Sequence, residues 1–383
     1  MRRILVLLLS AAILLIGAAG CAAAAQSPDP TPVTVSKDFY AETPQPTPEP
    51  VVTEAPVEEV VEAVETVQET TAVNLAVNPL TGEPAEEGAA NRRPYAVMIN
   101  NISVAQPQVG ISKADMIWEL MDEGGITRCM ALFTDISAAE AIGSIRSARW
   151  YNVSVAQAFD AIFVHAGGSD EAMGYIAADG INNINALIHE GTSAFYRDGS
   201  RQSHGVEHSL FGRGGEIVQL AGNLGYAAEH PADFDGTYGF RFSENAADQC
   251  GDAASHILLT YAGGKTMGFT YDPELDMYSA EQFGSVYADN GQETVYFRNV
   301  LVLNANTWLQ SDGLHLTIDL ESGSDGYFCC GGKYIPIKWT RNGYEDCFHF
   351  FTADGTPLSL GVGRTFVAVQ QTGSYTGTTS ITP

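Results

Sequence analysis

Apolar positions before about residue 250 fall into short runs that alternate with longer runs of helical period. YAVMIN (95–100), DMIWELM (115–121), ITRCMALF (126–133) and DAIFVHAG (160–167) have the length and the Gly or Asp flanks of strands. Glu123-Gly124-Gly125 between the second and third reads as a hairpin turn, which predicts a mixed sheet. ARWYNVSVAQAF (148–159), DEAMGYIAAD (170–179) and GEIVQLAGNLGY (215–226) place apolar residues at helical spacing and are expected to pack on that sheet. The pattern predicts an α/β fold over 78–248. Beyond it the helical period fades, and HILLTY, TVYFRNVLVLNA, LHLTIDL, GYFCCGGKYIPIKWT, CFHFFTA and RTFVAVQQ follow at strand spacing between Gly or Asp-Gly turns. A β-rich domain, a curled sheet or half-barrel, is expected over 249–383. The aromatics of FTYDPELDMY (269–278) could face a partner at its surface, though core packing explains aromatics in strands at least as well, and GSYTGTTSITP (373–383) reads as a frayed tail.

The first residues follow another rule. Met1-Arg2-Arg3 precedes an apolar run from Ile4 to Leu9 that resumes after Ser10 and ends in Ala18-Ala19-Gly20-Cys21. The run is short of the roughly 20 apolar residues a membrane span requires and reads as a signal peptide, residues 1–20. The small residues before the cysteine resemble a bacterial lipobox. That resemblance implies that Cys21 is lipidated and becomes the first mature residue, tethered at the outer face of the cytoplasmic membrane. Residues 21–77 are rich in Pro, Glu, Thr, Val and Ala, around TPQPTPEP. Such a stretch buries too little apolar surface to offset its ordering entropy, so a disordered acidic linker is expected.

Charge narrows the partners. The chain has 46 acidic and 19 basic residues, net −27, of which residues 22–88 hold thirteen acids and one lysine. A chain this acidic is repelled by phosphate backbones, which excludes nucleic acid. Six cysteines become five once Cys21 carries lipid. Cys129 sits in an apolar run as a small hydrophobe, a bridge from Cys329 or Cys330 to Cys347 is conceivable, and no repeated C-x-x-C offers a zinc site.

Candidate chemistry gathers before residue 215. GSIRSARW (143–150) sets Arg146 and Arg149 where a helix begins, and cations there oppose the helix dipole unless an anion lies among them. One reading is a bound phosphate or carboxylate; the other is an internal acid, Glu119, Asp122 or Glu123. VHAGGSDEA leads from a strand into a helix and offers His165, Ser169 and Asp170 as groups that catalyse or orient; their ordinary roles are a satisfied core histidine and a helix cap. FYRDGSRQSHGVEHSLFGRG (195–214) adds Arg197, Arg201 and His204. Its His204-Gly205-Val206-Glu207-His208 fits H-x-x-E-H, the inverted zinc-protease pattern, with His204 and His208 as ligands. A helical zinc motif tolerates Gly205 poorly, however, and no third ligand follows. With no G-x-S-x-G elbow and no Walker loop, a standard hydrolase or NTPase is disfavoured, and no cofactor is implied.

NPLTG (78–82), RPYAVMINN (93–101), QPQVGISKAD (106–115), EGGITRCMALF (123–133), GSIRSARW (143–150), VHAGGS (164–169) and FYRDGSRQSH (195–204) together resemble the YerB family of bacterial lipoproteins. The resemblance covers about residues 78–380. It implies a cell-envelope location and a two-part layout, with no established activity. His204 matches the family's motif histidine, whereas Ser203, Gly205, Glu207 and His208 depart from the family pattern, so H-x-x-E-H reads as an accident of this sequence.

Three functions compete. The first is recognition of an anionic wall or lipid-linked ligand by Arg128, Arg146, Arg149, Arg197 and Arg201, with His165 and His204 orienting it. The second, by analogy of residue types with the LytR-CpsA-Psr phosphotransferases, is phosphoryl transfer on polyprenyl-pyrophosphate-linked wall precursors: Arg146 and Arg149 would clamp the pyrophosphate, and Asp170 would act as base or metal ligand. The third is a scaffold whose C-terminal domain binds an envelope protein.

Overall fold

The computed structural model describes residues 76–383; the expected signal peptide, Cys21 and all but the last two residues of the expected linker lie outside them. Strands β1 (Tyr95–Asn101), β2 (Met116–Met121) and β3 (Thr127–Phe133) are buried along their whole lengths. Near-continuous apolar runs of this kind arise where both faces of a sheet are covered. Along β1, Ala96 and Met98 join one apolar cluster while Val97 and Ile99 join another, so the sheet separates two cores. β3 pairs antiparallel with both β1 and β2, and the β2–β3 turn contains Glu123–Gly125, with Gly124 and Gly125 both at positive φ. Helix α1 (Trp150–Ala158) leads into β4 (Ile162–His165), parallel to β1, and α2 (Asp170–Ala178) into β5 (Asn183–Asn185), parallel to β4. Helix α3 (Gly214–Asn223) adds Ile217 and Ala221 to the second core.

The rest of the chain is β-rich. Strands β6 (His256–Thr260), β7 (Thr266–Asp272), β8 (Met277–Gln282) and β9 (Ser285–Val286) form most of a six-stranded sheet. β10 (Asn299–Leu309), β11 (Ser324–Cys330), β12 (Lys333–Thr340) and β13 (Thr365–Gly373) join a twelve-stranded sheet in the order β12-β11-β10-β13-β2-β3-β1-β4-β5. β13 is the joint, parallel to β10 on one side and to β2 on the other, where Met116 lies opposite Thr365. The α/β part and the β-rich part therefore share one sheet.

One surface expectation is corrected, and the reading of the 269–278 aromatics as core is the one the structure shows. The tail is not frayed: β14 (Thr378–Thr382) pairs antiparallel with β6 in full register, and Ile381 packs against the second core. Phe269 and Tyr278 are fully buried, because β7 and β8 form a hairpin whose alternate residues face that core. The conceivable disulfide is also absent, since all five described cysteines are free thiols. Cys329 and Cys330 are adjacent on β11 and enter opposite cores, and the Cys347 thiol lies 3.3 Å from the Ala158 carbonyl oxygen.

Candidate functional site

Beyond the paired part of β1 and β4, residues 144–148 run beside the end of β1. The Asn100 amide donates to the Ser144 carbonyl at 2.9 Å, that of Arg146 to the Met98 carbonyl at 2.9 Å, and that of Ala166 to the Arg146 carbonyl at 2.9 Å. Arg146 is thereby carried to the carboxyl ends of two parallel strands, just before α1 begins, the position at which α/β sheets leave room for a ligand.

The structure divides the five candidate arginines. Arg149 is the N-cap of α1, and its Nε and Nη2 meet the Glu123 carboxylate at 2.8 and 2.6 Å, with Asp122 at 3.3 Å. Arg128, 5% exposed, pairs with Asp122 at 2.5 Å and donates to the Ser147 carbonyl at 3.0 Å. For these two the anion is internal and comes from the β2–β3 turn. Burial pushes the Asp122 carboxyl up against the pull of Arg128 and Arg149. Burial also works to raise Glu123, but its hydrogen bonds with Asp122 and Arg149 outweigh it and hold that carboxyl low. Arg197 forms a two-pronged pair with Glu190 at 2.9 and 2.8 Å, and Arg201 donates to the carbonyls of Ala105 and Pro107 at 3.0 and 2.7 Å. Arg146 differs: it is half-buried, and among the described residues its guanidinium has no hydrogen bond and no ion pair. Burial lowers its pKa, opposed by the more distant Glu207 and Asp122. Close by, Arg128 Nε and Ser144 Oγ are buried without a hydrogen-bond partner among the described residues.

The histidines part in the same way. His165 is a fully buried core residue, with Nδ1 2.8 Å from the Gly167 carbonyl and Nε2 3.1 Å from Asn183 Oδ1, and its ring stacks on Phe163. Both neighbours are acceptors, which favours the protonated ring, yet burial prevails and its pKa is lowered. Ser169 caps α2, accepting from the Ala172 amide at 3.2 Å, which is its ordinary role, and Asp170 stands exposed in the first turn. H-x-x-E-H is split at Gly205, φ 120°, into two separate 3-10 turns, and His204 is exposed. Asn100 Nδ2 lies 2.8 Å from His208 Nδ1 and donates to it, which places the ring proton on Nε2, facing Glu207 Oε1 at 3.6 Å. A nitrogen that accepts this bond is not free to bind zinc, and among the described residues no three His, Cys, Asp or Glu side chains converge as a metal site.

His165 gives a pH prediction. A histidine whose folded pKa is lowered contributes stability above its unfolded value of about 6.5, and that stability is lost as the pH falls below it. Asp122, raised, works in the opposite direction, so the difference between variant and wild type is the quantity to read. The Tm of His165→Gln is expected to fall less steeply than that of wild type from about pH 7 to 5; parallel slopes would remove the effect.

Sequence reasoning had marked Arg146 but not the residues around it. Asn100 and Ser144 lie within RPYAVMINN and GSIRSARW, yet neither stretch shows that they meet; the bond from the Asn100 amide to the Ser144 carbonyl brings them together.

A family model described as the protein of unknown function (DUF3048) N-terminal domain matches residues 80–227, and the DUF3048 C-terminal domain matches 257–367. The chain belongs to this YerB-like, two-part family. A protein of Bacillus subtilis (strain 168) named "Putative lipoprotein YerB" is 29% identical over 267 residues, 69% of this chain and 77% of that one. The crystal structure of the YerB protein from Bacillus subtilis matches with a TM-score of 0.68 at 27% identity, over 79% of this chain and 99% of that chain. These matches bear out the two-part YerB-like architecture and support reading the chain as a lipoprotein. Among the described residues no helix is long and apolar enough to cross a membrane.

Proposed function

We propose that this YerB-like chain is anchored through Cys21 at the outer face of the cytoplasmic membrane and binds an anionic envelope ligand at Arg146. One observation carries the reading. Of the five candidate arginines, Arg146 alone is without a direct partner among the described residues, and it lies half-buried beyond the carboxyl ends of β1 and β4. Withdrawing a guanidinium from water without a counter-charge is unfavourable, and a phosphate or carboxylate would offset that cost. His208 and Asn100 stand ready on the same side, already hydrogen-bonded to each other.

The test is the Tm of the full chain with and without pyrophosphate as the probe. A ligand that binds only the folded state at a hundred times its Kd adds about 2.7 kcal/mol. Wild type is expected to show a rise in Tm that Arg146→Ala abolishes. Arg146→Ala should otherwise fold normally, since it breaks no side-chain hydrogen bond or ion pair among the described residues, whereas Arg149→Ala also lowers the starting Tm by removing the partner of Glu123. An unchanged wild-type Tm, or a rise that Arg146→Ala retains, refutes the assignment.

A further inference from the structure

A cavity of about 610 Å³ opens between the 103–107 loop of the α/β part and the β8–β9 hairpin with the residues that follow it. Although the chain carries a net charge of −27, no charged side chain lines this cavity. Gln282, the last residue of β8, is in its wall and 5% exposed, on the core-facing side of the strand that Tyr278 and Ala280 also occupy. Neither Oε1 nor Nε2 of Gln282 has a hydrogen-bond partner among the described residues. Gln106 Nε2, in the facing loop, is buried and unpartnered as well. Buried amides are normally hydrogen-bonded, and two unsatisfied ones lining one cavity call for an explanation.

The hairpin supplies a second observation. Phe283 lines the same cavity at the β8–β9 turn, 38% exposed and with φ 53°. Phe283 and Gly284 (φ 75°) are the two central residues of the hairpin, a turn that takes positive φ at both, and it holds the Phe283 ring out at the cavity.

We propose that this cavity binds a neutral saccharide. Each sugar hydroxyl both donates and accepts, which matches the Gln282 amide, whose oxygen and nitrogen are both unpartnered, and the unpartnered Nε2 of Gln106; the C–H face of a sugar ring packs on an exposed aromatic such as Phe283. An anion finds no cation in the lining, so this site is chemically distinct from Arg146. Among the described residues the strands at this cavity, Ser285–Val286, Ala288–Asp289 and Glu293–Thr294, are each two residues long, too short to set the register of a peptide added as a strand.

The experiment is isothermal titration of the full chain, in a sugar-free detergent, with maltotriose, cellotriose and chitotriose. Saturable millimolar binding of at least one is expected. Gln282→Met should hold or raise the Tm, because it removes an unsatisfied buried amide, and should weaken binding about tenfold or more. If Gln282→Met does not fold, Phe283→Gly serves instead, since it relieves the positive φ and deletes the stacking ring; loss of binding in it supports the proposal. No saturable binding of any of the three sugars, undiminished binding in the folded variant, or preferential binding of a capped tetra-alanine peptide overturns the proposal.

Discussion

Replacing Glu119 with alanine is expected to cost the folded chain about 3–5 kcal/mol, the usual result of breaking a buried ion pair from one side. Glu119 is fully buried on β2. It accepts hydrogen bonds from Asn101 Nδ2 at 2.8 Å, Thr127 Oγ1 at 2.6 Å and the Tyr261 hydroxyl at 2.8 Å, and pairs with Lys265 Nζ. Two of these partners, Tyr261 and Lys265, come from the β-rich part. Without the carboxylate, a lysine whose side chain is 6% exposed keeps only the Met267 sulfur and the rings of Tyr261 and Phe283, and the Tyr261 hydroxyl is left buried and unpaired. The double variant Glu119→Leu/Lys265→Met should recover most of the loss, because it removes both charges rather than stranding one. Urea unfolding of the three variants decides it. A loss below about 1 kcal/mol in Glu119→Ala would mean that Lys265 escapes to water.

Trp118→Ala is expected to cost a similar 3–5 kcal/mol by opening a cavity in the other core. Trp118 precedes Glu119 on β2 and so points to the opposite face. There it is fully buried, its ring 6.2 Å from Phe159, just past α1, and 4.7 Å from Phe348 of the β-rich part. One strand therefore grips the C-terminal half from both faces and by its backbone through β13. The consequence is cooperative: tryptophan fluorescence and far-ultraviolet circular dichroism should report a single coincident unfolding transition in wild type. Two separated transitions would show that the halves melt independently despite the shared sheet, and the Trp118→Ala loss would then appear in only one of them.

Local pattern was readable in detail. The runs at 115–121 and 126–133 with Glu123-Gly124-Gly125 between them became the β2–β3 hairpin, and the helical runs became α1, α2 and α3 with ends shifted by a few residues. Arg146 and Arg149 were both visible as cations placed where a helix begins. Which of them is neutralised was not visible, because that depends on the β2–β3 turn delivering Asp122 and Glu123 to Arg149 and Arg128 while leaving Arg146 aside. His165 could not be told from a catalytic histidine until Gly167 and Asn183 were seen to occupy both its nitrogens. The tail TTSIT has one large apolar residue, too little for a strand signal, and becomes β14 only because β6 offers it an edge.

The sequence by itself therefore determined the kinds of element, the α/β-then-β order and the YerB-like family, all of which rest on short-range spacing and ordered motifs. Tertiary structure alone decided that Met116 would lie beside Thr365 in one sheet, that Arg146 would be without a counter-ion among the described residues, and that Gln106 and Gln282 would line one uncharged cavity. The reason is physical. Periodicity records which face of an element is buried, whereas strand partners and buried charge pairs depend on groups brought together from different elements, whose meeting leaves no mark in either local stretch.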